Sequence, residues 1–402
     1  MSGFPIAQLR RIARLKSGDF IAAEDIEEEG PFPVYGGNGL RGFTARWNTN
    51  GPIALVGRQG AQCGNVHVAA GKICVSEHAF RCFPEKPVDV SFLRHSLQSL
   101  NLGQYSVSAA QPGLSADNLK AVTLPFPPLD TQRRIAAFLD EKTAQIDALI
   151  EKKQALLERL AEKRQAIITQ AVTKGLNPDA PMRPSGIDWL GDIPAHWEVK
   201  RLRFSVDRIE QGWSPQCDSR PADSGEWGVL KVGCVNGDRF DEAENKALPS
   251  DLTPIPRYEI RIGDILISRA NTKELLGSAA VVHGTQGRIM FSDKLYRVSI
   301  GEDLMSEYIV AFLRSPLARF QYERESTGTS GSMQNIGQDT IANLIHPRPP
   351  ASEQRAIAKS IGSFSSGIDL AVSKVRAALN ILNEYRAALI TAAVTGQIEG
   401  LR

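Results

Sequence analysis

Two long stretches of the chain carry apolar residues at alternating spacings of three and four. The second reads Ile357, Ile361, Phe364, Ile368, Ala371, Val375, Ala378, Leu382, Tyr385, Leu389, Ala392, with every slot apolar or aromatic. The equivalent slots of the first read Ile135, Leu139, Lys142, Ile146, Leu149, Lys153, Leu156, Leu160, Lys163, Ile167, Gln170; Ile150, Leu157 and Ile168 widen that stripe. Sustained heptads of this kind predict helices that pair as a coiled coil. Pro127-Pro128 blocks a helix before the first stretch and Asp130 is a candidate N-cap; Pro349-Pro350 and Ser352 serve the second in the same way. Neither Pro nor Gly interrupts 131–174, a run of about 44 residues and roughly 65 Å of helix. In the second stretch Gly362 and Gly367 cost about 1 kcal/mol each against Ala. That helix therefore needs a partner, and the first helix is the candidate.

The two stretches are copies. PPLDTQRRIA from Pro127 matches PPASEQRAIA from Pro349 at an offset of 222, and the offset holds without a gap to Lys174 and Gly396. Twenty of those 48 positions are identical, where unrelated chains would share roughly 3. Gln132/Gln354, Asp147/Asp369 and Arg164/Arg386 are among the anchors. Upstream the likeness is weaker. Val75–Arg81 resembles Phe291–Arg297 at an offset of 216, and Ile53–Arg58 resembles Ile265–Arg269 at about 211. A drifting offset means insertions between matched strands.

Outside the helices the pattern is of short strands punctuated by turns such as Gly36-Gly37-Asn38-Gly39, Asn50-Gly51-Pro52 and Asn236-Gly237-Asp238. Ile53–Val56 and Ile265–Ile267 read as buried strands. The expected fold class is therefore α+β: two mixed α/β domains of short strands, separated by two long helices, in an internal pseudo-two-fold repeat. The expected boundaries are 1–128 for the first domain, 129–175 for the first helix, 176–198 for a linker, 199–350 for the second domain and 351–402 for the second helix. The linker breaks with Pro and Gly but carries Trp189 and Trp197, which suggests a docked strap.

Each buried strand runs into a polar, arginine-bearing loop: Gly57–Asn65 in the first half and Ser268–Lys273 in the second. Arg or Lys pairs with guanine, Asn or Gln with adenine, and glycine allows close approach of backbone. The candidate DNA-contacting residues are Arg58, Gln59 and Asn65 in the first loop and Arg269, Asn271 and Lys273 in the second. Lys294 and Arg297 are candidate phosphate contacts.

Charge alters this picture little. With 47 basic and 45 acidic residues the net charge is +2, so any DNA contact must come from local clustering. Five cysteines without a CxxC pair argue against a disulfide framework. With no secretory h-region and no apolar run of spanning length, a reduced cytoplasmic protein is expected.

At this point the chain resembles the specificity subunit of a type I restriction–modification system. The likeness rests on 127–136 with its copy at 349–358, and on His196-Trp197-Glu198-Val199-Lys200-Arg201-Leu202. The resemblance implies two target-recognition domains that each read one half of a split site on double-stranded DNA. It implies long helices packed antiparallel as a coiled-coil spacer, docking two methyltransferase subunits that use S-adenosylmethionine, with restriction subunits joining through the complex. It implies no catalysis and no cofactor in this chain. One departure stands out: the first half has no counterpart of 183–198, because the chain begins close to the equivalent of Trp197, so its start reads as shortened.

Other chemistry fits less well. An Asn-Pro-Pro-Tyr motif and a Walker A loop are absent. Pro178-Asp179 with Glu198-Val199-Lys200 superficially matches a metal-dependent nuclease, but Asp179 lies in the Pro-rich linker. Cys63, His67, Cys74, His78 and Cys82 lack the tight pairs of zinc fingers. A magnesium nuclease and a coiled-coil scaffold without a DNA role remain as alternatives.

Overall fold

The structure is a computed structural model that describes residues 4–60, 62–106, 113–237, 239–327 and 333–401. Ala61 of the first expected loop and Asp238 of an expected turn lie outside the described residues. The chain forms two compact units, one of Met1–Ala155 with Lys374–Arg402 and one of Leu156–Ser373. Each unit therefore holds one mixed domain and a segment of both long helices. Among the described residues no helix is long and apolar enough to cross a membrane.

In unit one, six strands follow the spatial order Ala13–Ser17, Ala79–Pro84, Thr49–Gly57, Val66–Val75, Phe32–Gly36, Gly39–Thr44. The central hairpin pairs Val56 with Val66 and Thr49 with Ile73. Ile53–Val56 is fully buried within it, as its unbroken apolar run requires. The helix Val90–Gln98 covers the sheet, and its first turn is capped by the Asp89 carboxylate accepting from Phe92 N at 2.9 Å.

Unit two repeats the heart of that sheet. Val206–Gln211, Leu295–Ile300, Ile265–Ser268 and Ala279–Val281 lie in the same order as their four counterparts. Val56 pairs with Phe80 in unit one, and Ile267 pairs with Tyr296 in unit two. The offsets of 211 and 216 read from the sequence are thus strand equivalences. A small strand pair closes each domain: Ile6–Gln8 on Thr123–Pro125, and Glu198–Arg201 on Ile345–Arg348.

The long helices run Leu129–Lys174 and Ala351–Val394. Neither starts at the expected cap. The first helical amides, those of Gln132 and Gln354, donate to the carbonyls of Pro128 and Pro350, so Asp130 and Ser352 fall inside the first turn. The second helix stops at Val394, short of 402, and Gly396 follows it with φ +75°, the left-handed backbone that ends helices.

Within each unit the helix segments are antiparallel. In unit one Asp147 pairs with Arg386 at 2.9 Å, and Ile135 and Leu139 share a core with Ile390, Ala393 and Val394. In unit two Arg164 pairs with Asp369, and Gly175 lies beside Glu353. These are the same two repeat positions used twice, since 164 and 386, like 147 and 369, differ by 222. The apolar seam departs from a strict heptad. Leu149, Leu156 and Tyr385 are exposed, while Thr143, Ile150 and Leu157 lie at least partly inside. A straight helix drifts about 20° per heptad against a 3.5 period, which carries the contact line from Tyr385 to Arg386.

The start of each long helix is tied down identically. The Gln132 side chain accepts from Asp89 N at 3.0 Å and donates to Pro127 O at 2.8 Å. Gln354 accepts from Met305 N at 2.8 Å and donates to Pro349 O at 2.9 Å. Both are 1% exposed. The linker is docked as expected: Trp197 is buried, and Trp189 packs on Phe320 with ring centroids 5.8 Å apart.

His346, fully buried in the closing strand, donates from Nδ1 to Pro347 O at 2.9 Å. Burial pushes its ionisation down to about 4. The unfolded imidazole takes a proton near 6.5, so the unfolded state binds protons that the folded state refuses. Stability should fall as pH drops from about 6.5 towards 4, by roughly 3 kcal/mol. The matching residue of the first copy is Leu124, also buried. His346→Leu is expected to flatten this acid limb when unfolding is followed by near-ultraviolet circular dichroism across that range; an unchanged limb would refute the assignment.

Candidate nucleic-acid interface

The arginines that end the two buried strands sit in one and the same backbone frame. Arg58 N donates to His78 O at 2.8 Å, and Arg58 O accepts from Leu114 N at 2.8 Å. Arg269 N donates to Lys294 O at 2.9 Å, and Arg269 O accepts from Ile336 N at 2.9 Å. Each guanidinium lies over the aromatic ring at the start of the neighbouring strand, Arg58 at 5.4 Å from Phe80 and Arg269 at 5.9 Å from Tyr296. Stacking on a ring fixes a planar cation while leaving its edge donors available.

In unit one the loop residues gather around an open recess of about 420 Å³ lined by Asn38, Arg41, Gln59, Gln62 and His78. Gln59 Oε1 lies 3.0 Å from His78 Nδ1. Asn65 Nδ2 donates to Asn38 Oδ1 at 2.8 Å and to Gln62 Oε1 at 3.2 Å. Arg58 itself is half-buried and donates to Ser17 Oγ at 3.3 Å. Of the expected residues, Gln59 lines the recess, Asn65 is bonded to two of its lining residues, and the Arg58 side chain is held outside that lining on Ser17 and Phe80; Asn38, Arg41, Gln62 and His78, which sequence reasoning passed over, complete it. A signal was present: aligning Val75–Arg81 with Phe291–Arg297 sets His78 opposite Lys294.

Unit two places its residues unequally. Lys273 and Lys294 are exposed. Arg269 is half-buried, with Nη1 donating to Asp293 O at 3.3 Å. Asn271 turns inward: it is buried, donates to Asn236 Oδ1 at 2.8 Å, and accepts from Thr272 N. Its amide organises the loop and is not presented to solvent. Arg297, expected at a phosphate, is also internal. It bonds Glu210 at 2.7 Å, Asp264 at 3.5 Å and the carbonyls of Glu259 and Arg257. Its copy Arg81 is fully buried and pairs with Asp19 at 3.2 Å. The alternation of the strand explains this. Tyr296 and Arg297 face opposite sides, and the arginine's side holds carboxylates that a buried cation needs.

Glu198 pairs with Lys200 at 2.7 Å, and Asp179 N is held by Asn177 Oδ1 in a linker turn. Among the described residues no three His, Cys, Asp or Glu side chains gather as a metal site. Burial pushes the Cys82 thiol up to about 12.

Comparison with known proteins supplies the remaining context. Residues 1–159 match the type I restriction modification DNA specificity domain. The chain is 32% identical over 189 residues to the EcoEI specificity subunit of Escherichia coli, covering 46% of this chain and 32% of that one. It is 26% identical over 325 residues to the EcoKI specificity subunit of Escherichia coli K12, covering 78% and 67%. Against the EcoEI and EcoprrI subunits the chain spans about a third of the relative's length. A solved structure from work on assembly and conformational transition of the type I restriction–modification system superposes with a TM-score of 0.69 at 15% identity, covering 99% of both chains; at that identity the likeness is one of fold.

Removing a largely enclosed cation from its carboxylates is costly in a way that removing a surface one is not. Arg297→Met should lower the stability of unit two by roughly 3–5 kcal/mol, read as a drop in unfolding midpoint. Lys294→Met should leave the midpoint where it is. Equal effects would mean that Arg297 is no more structural than Lys294.

Proposed function

This chain belongs to the specificity-subunit family of type I restriction–modification systems, and from that premise we propose that it reads a bipartite site on double-stranded DNA. One half-site falls to each mixed domain, and the chain itself catalyses nothing. The observation that carries this reading is the pair of arginines held in one backbone frame but surrounded by different polar side chains. A shared frame sets two reading loops to the same task; divergent surroundings let them recognise different bases. In unit one the reading groups are Arg58, Gln59 and Asn65 with Asn38, Gln62 and His78. In unit two they are Arg269 and Lys273, with Lys294 at a phosphate. Amides and guanidinium groups of these kinds match adenine and guanine edges in the major groove.

The long helices have a separate task in this proposal. They offer two methyltransferase subunits a repeated surface, and restriction subunits join through that assembly. The methyl donor, S-adenosylmethionine, belongs to the partner. A net charge of only +2 gives the chain little non-specific attraction to DNA, so recognition is expected to be strong only in the assembled methyltransferase.

Two measurements test the reading. In the assembled complex, Arg269→Ala should cost about 1–3 kcal/mol and relax preference at one position of one half-site, whereas Lys294→Ala should weaken binding to all sequences and lower the salt slope by about one. Methylation-site sequencing in the host reads both variants, and an unchanged motif with Arg269→Ala sinks this role for the loop. The purified chain with magnesium should leave plasmid DNA intact; cleavage would restore the nuclease reading.

A further inference from the structure

Unit one carries a hairpin that the repeat does not account for. Phe32–Gly36 pairs with Gly39–Thr44 at the edge of the six-stranded sheet, and the four-stranded order of unit two holds no counterpart of it. The pairing is irregular at one place. Leu40 lies opposite Tyr35 and Gly42 opposite Val34, so Arg41 is the extra residue of a β-bulge. A bulge re-aims the side chain it carries. Two glycines accommodate this one. Gly42 takes φ +145°, backbone that suits a residue without a Cβ. A Cβ at Gly36 would fall 2.4 Å from Arg41 Cδ, so the bare glycine leaves room for the arginine stem.

Arg41 is thereby set in the wall of the recess that it forms with Asn38, Gln59, Gln62 and His78. It is exposed and makes no hydrogen bond or ion pair among the described residues. The amides around it are oriented. Asn38 Oδ1 and Gln62 Oε1 both accept from Asn65 Nδ2, at 2.8 and 3.2 Å, and Gln59 Oε1 accepts from His78 Nδ1 at 3.0 Å. All three carbonyl oxygens are engaged within the site. Their NH2 groups bond nothing among the described residues, and no carboxylate is among the residues that line the recess. A guanidinium and three amide donors therefore remain for a ligand.

A recess of donors takes acceptors. In the major groove guanine offers two acceptors side by side, O6 and N7, whereas adenine sets an amino group beside its N7 and cytosine presents an amino group alone. Phosphate oxygens accept as well, but three of the four donor groups are uncharged amides, which suits a base edge better than an anion. We propose that Arg41 reads a guanine in the half-site of unit one, bidentate to O6 and N7, with the neighbouring amide donors disfavouring adenine there. The inference rests on the proposal that this domain reads DNA, and adds to it the residue and the base.

The test uses the full chain assembled with methyltransferase subunits. Methylation-site sequencing gives the wild-type motif; lack of a bipartite motif overturns the DNA reading and this inference with it. Arg41→Ala should make one guanine position degenerate, in the half-site that Arg269→Ala leaves intact. On duplex carrying the motif, 7-deazaguanine at that position, which lacks N7, should weaken binding by the wild-type complex about five-fold or more. It should weaken binding by the Arg41→Ala complex no further. Three results overturn the assignment of Arg41 and leave the DNA reading standing: a half-site without a G·C pair, an unchanged motif with Arg41→Ala, or wild-type binding indifferent to 7-deazaguanine at every guanine of that half-site. Uniformly weaker binding of Arg41→Ala to all sequences, with a salt slope lower by about one, also overturns it and moves Arg41 to a phosphate.

Discussion

A primary amide buried among backbone groups must bond to them or weaken the fold, because each polar atom left without a partner costs about 1–3 kcal/mol. Gln132 and Gln354 meet that demand twice over, each holding a short helix of its domain with its carbonyl oxygen and the proline turn with its NH2 group. The domain, the turn and the long helix are thereby locked at one point. Everything downstream inherits its phase from there: which helix face meets the seam, where the arginine–aspartate pairs fall, and which strand closes the sheet. The diproline before each helix serves the same end, since it leaves carbonyls without competing amides.

The two domains show what such an anchor permits. Their central four-stranded sheets agree in order and register, yet unit one extends its sheet to six strands, whereas unit two builds a separate three-stranded one. The loops around Arg58 and Arg269 also differ, in side chains but not in the backbone bonds that hold the two arginines. A rigid frame with variable polar tips is what the proposed reading of bases would require, because bases are distinguished by groups that are positioned before contact.

Much of this was legible in the residues. A 222-residue offset sustained over 48 positions could only come from duplicated helices, and the offsets of 216 and 211 match strands that hold the same places in their two sheets. What escaped was direction. Arg297 and Lys294 are both basic and three residues apart, but one points at Glu210 and the other at solvent, and no local pattern announces which. Asn271 has the chemistry of a base-reading amide and is a loop brace. The heptad seam was right in existence and wrong in phase at Leu149, Leu156 and Tyr385, because a 3.5-residue template does not fit a helix that keeps its own period. By strand register Phe4 occupies the place of Trp197, and each aromatic ring lies against the left-handed glycine that ends a long helix, Gly396 and Gly175 respectively.

Those two junctions differ in one respect that bears on how the chain avoids errors as it folds. The Trp197 indole donates to the Glu353 carboxylate at 3.0 Å, and His196 lies 2.6 Å from the same residue. Phe4 has no donor, and the residue matching Glu353 is Thr131, which carries no charge. An internal repeat invites wrong pairings between its halves. Here a misplaced tryptophan would meet no carboxylate for its N–H, and a misplaced phenylalanine would leave Glu353 without its indole partner. Each mistake forfeits a hydrogen bond to a charged group, worth about 1.5–3 kcal/mol. The two junctions carry, in effect, different addresses.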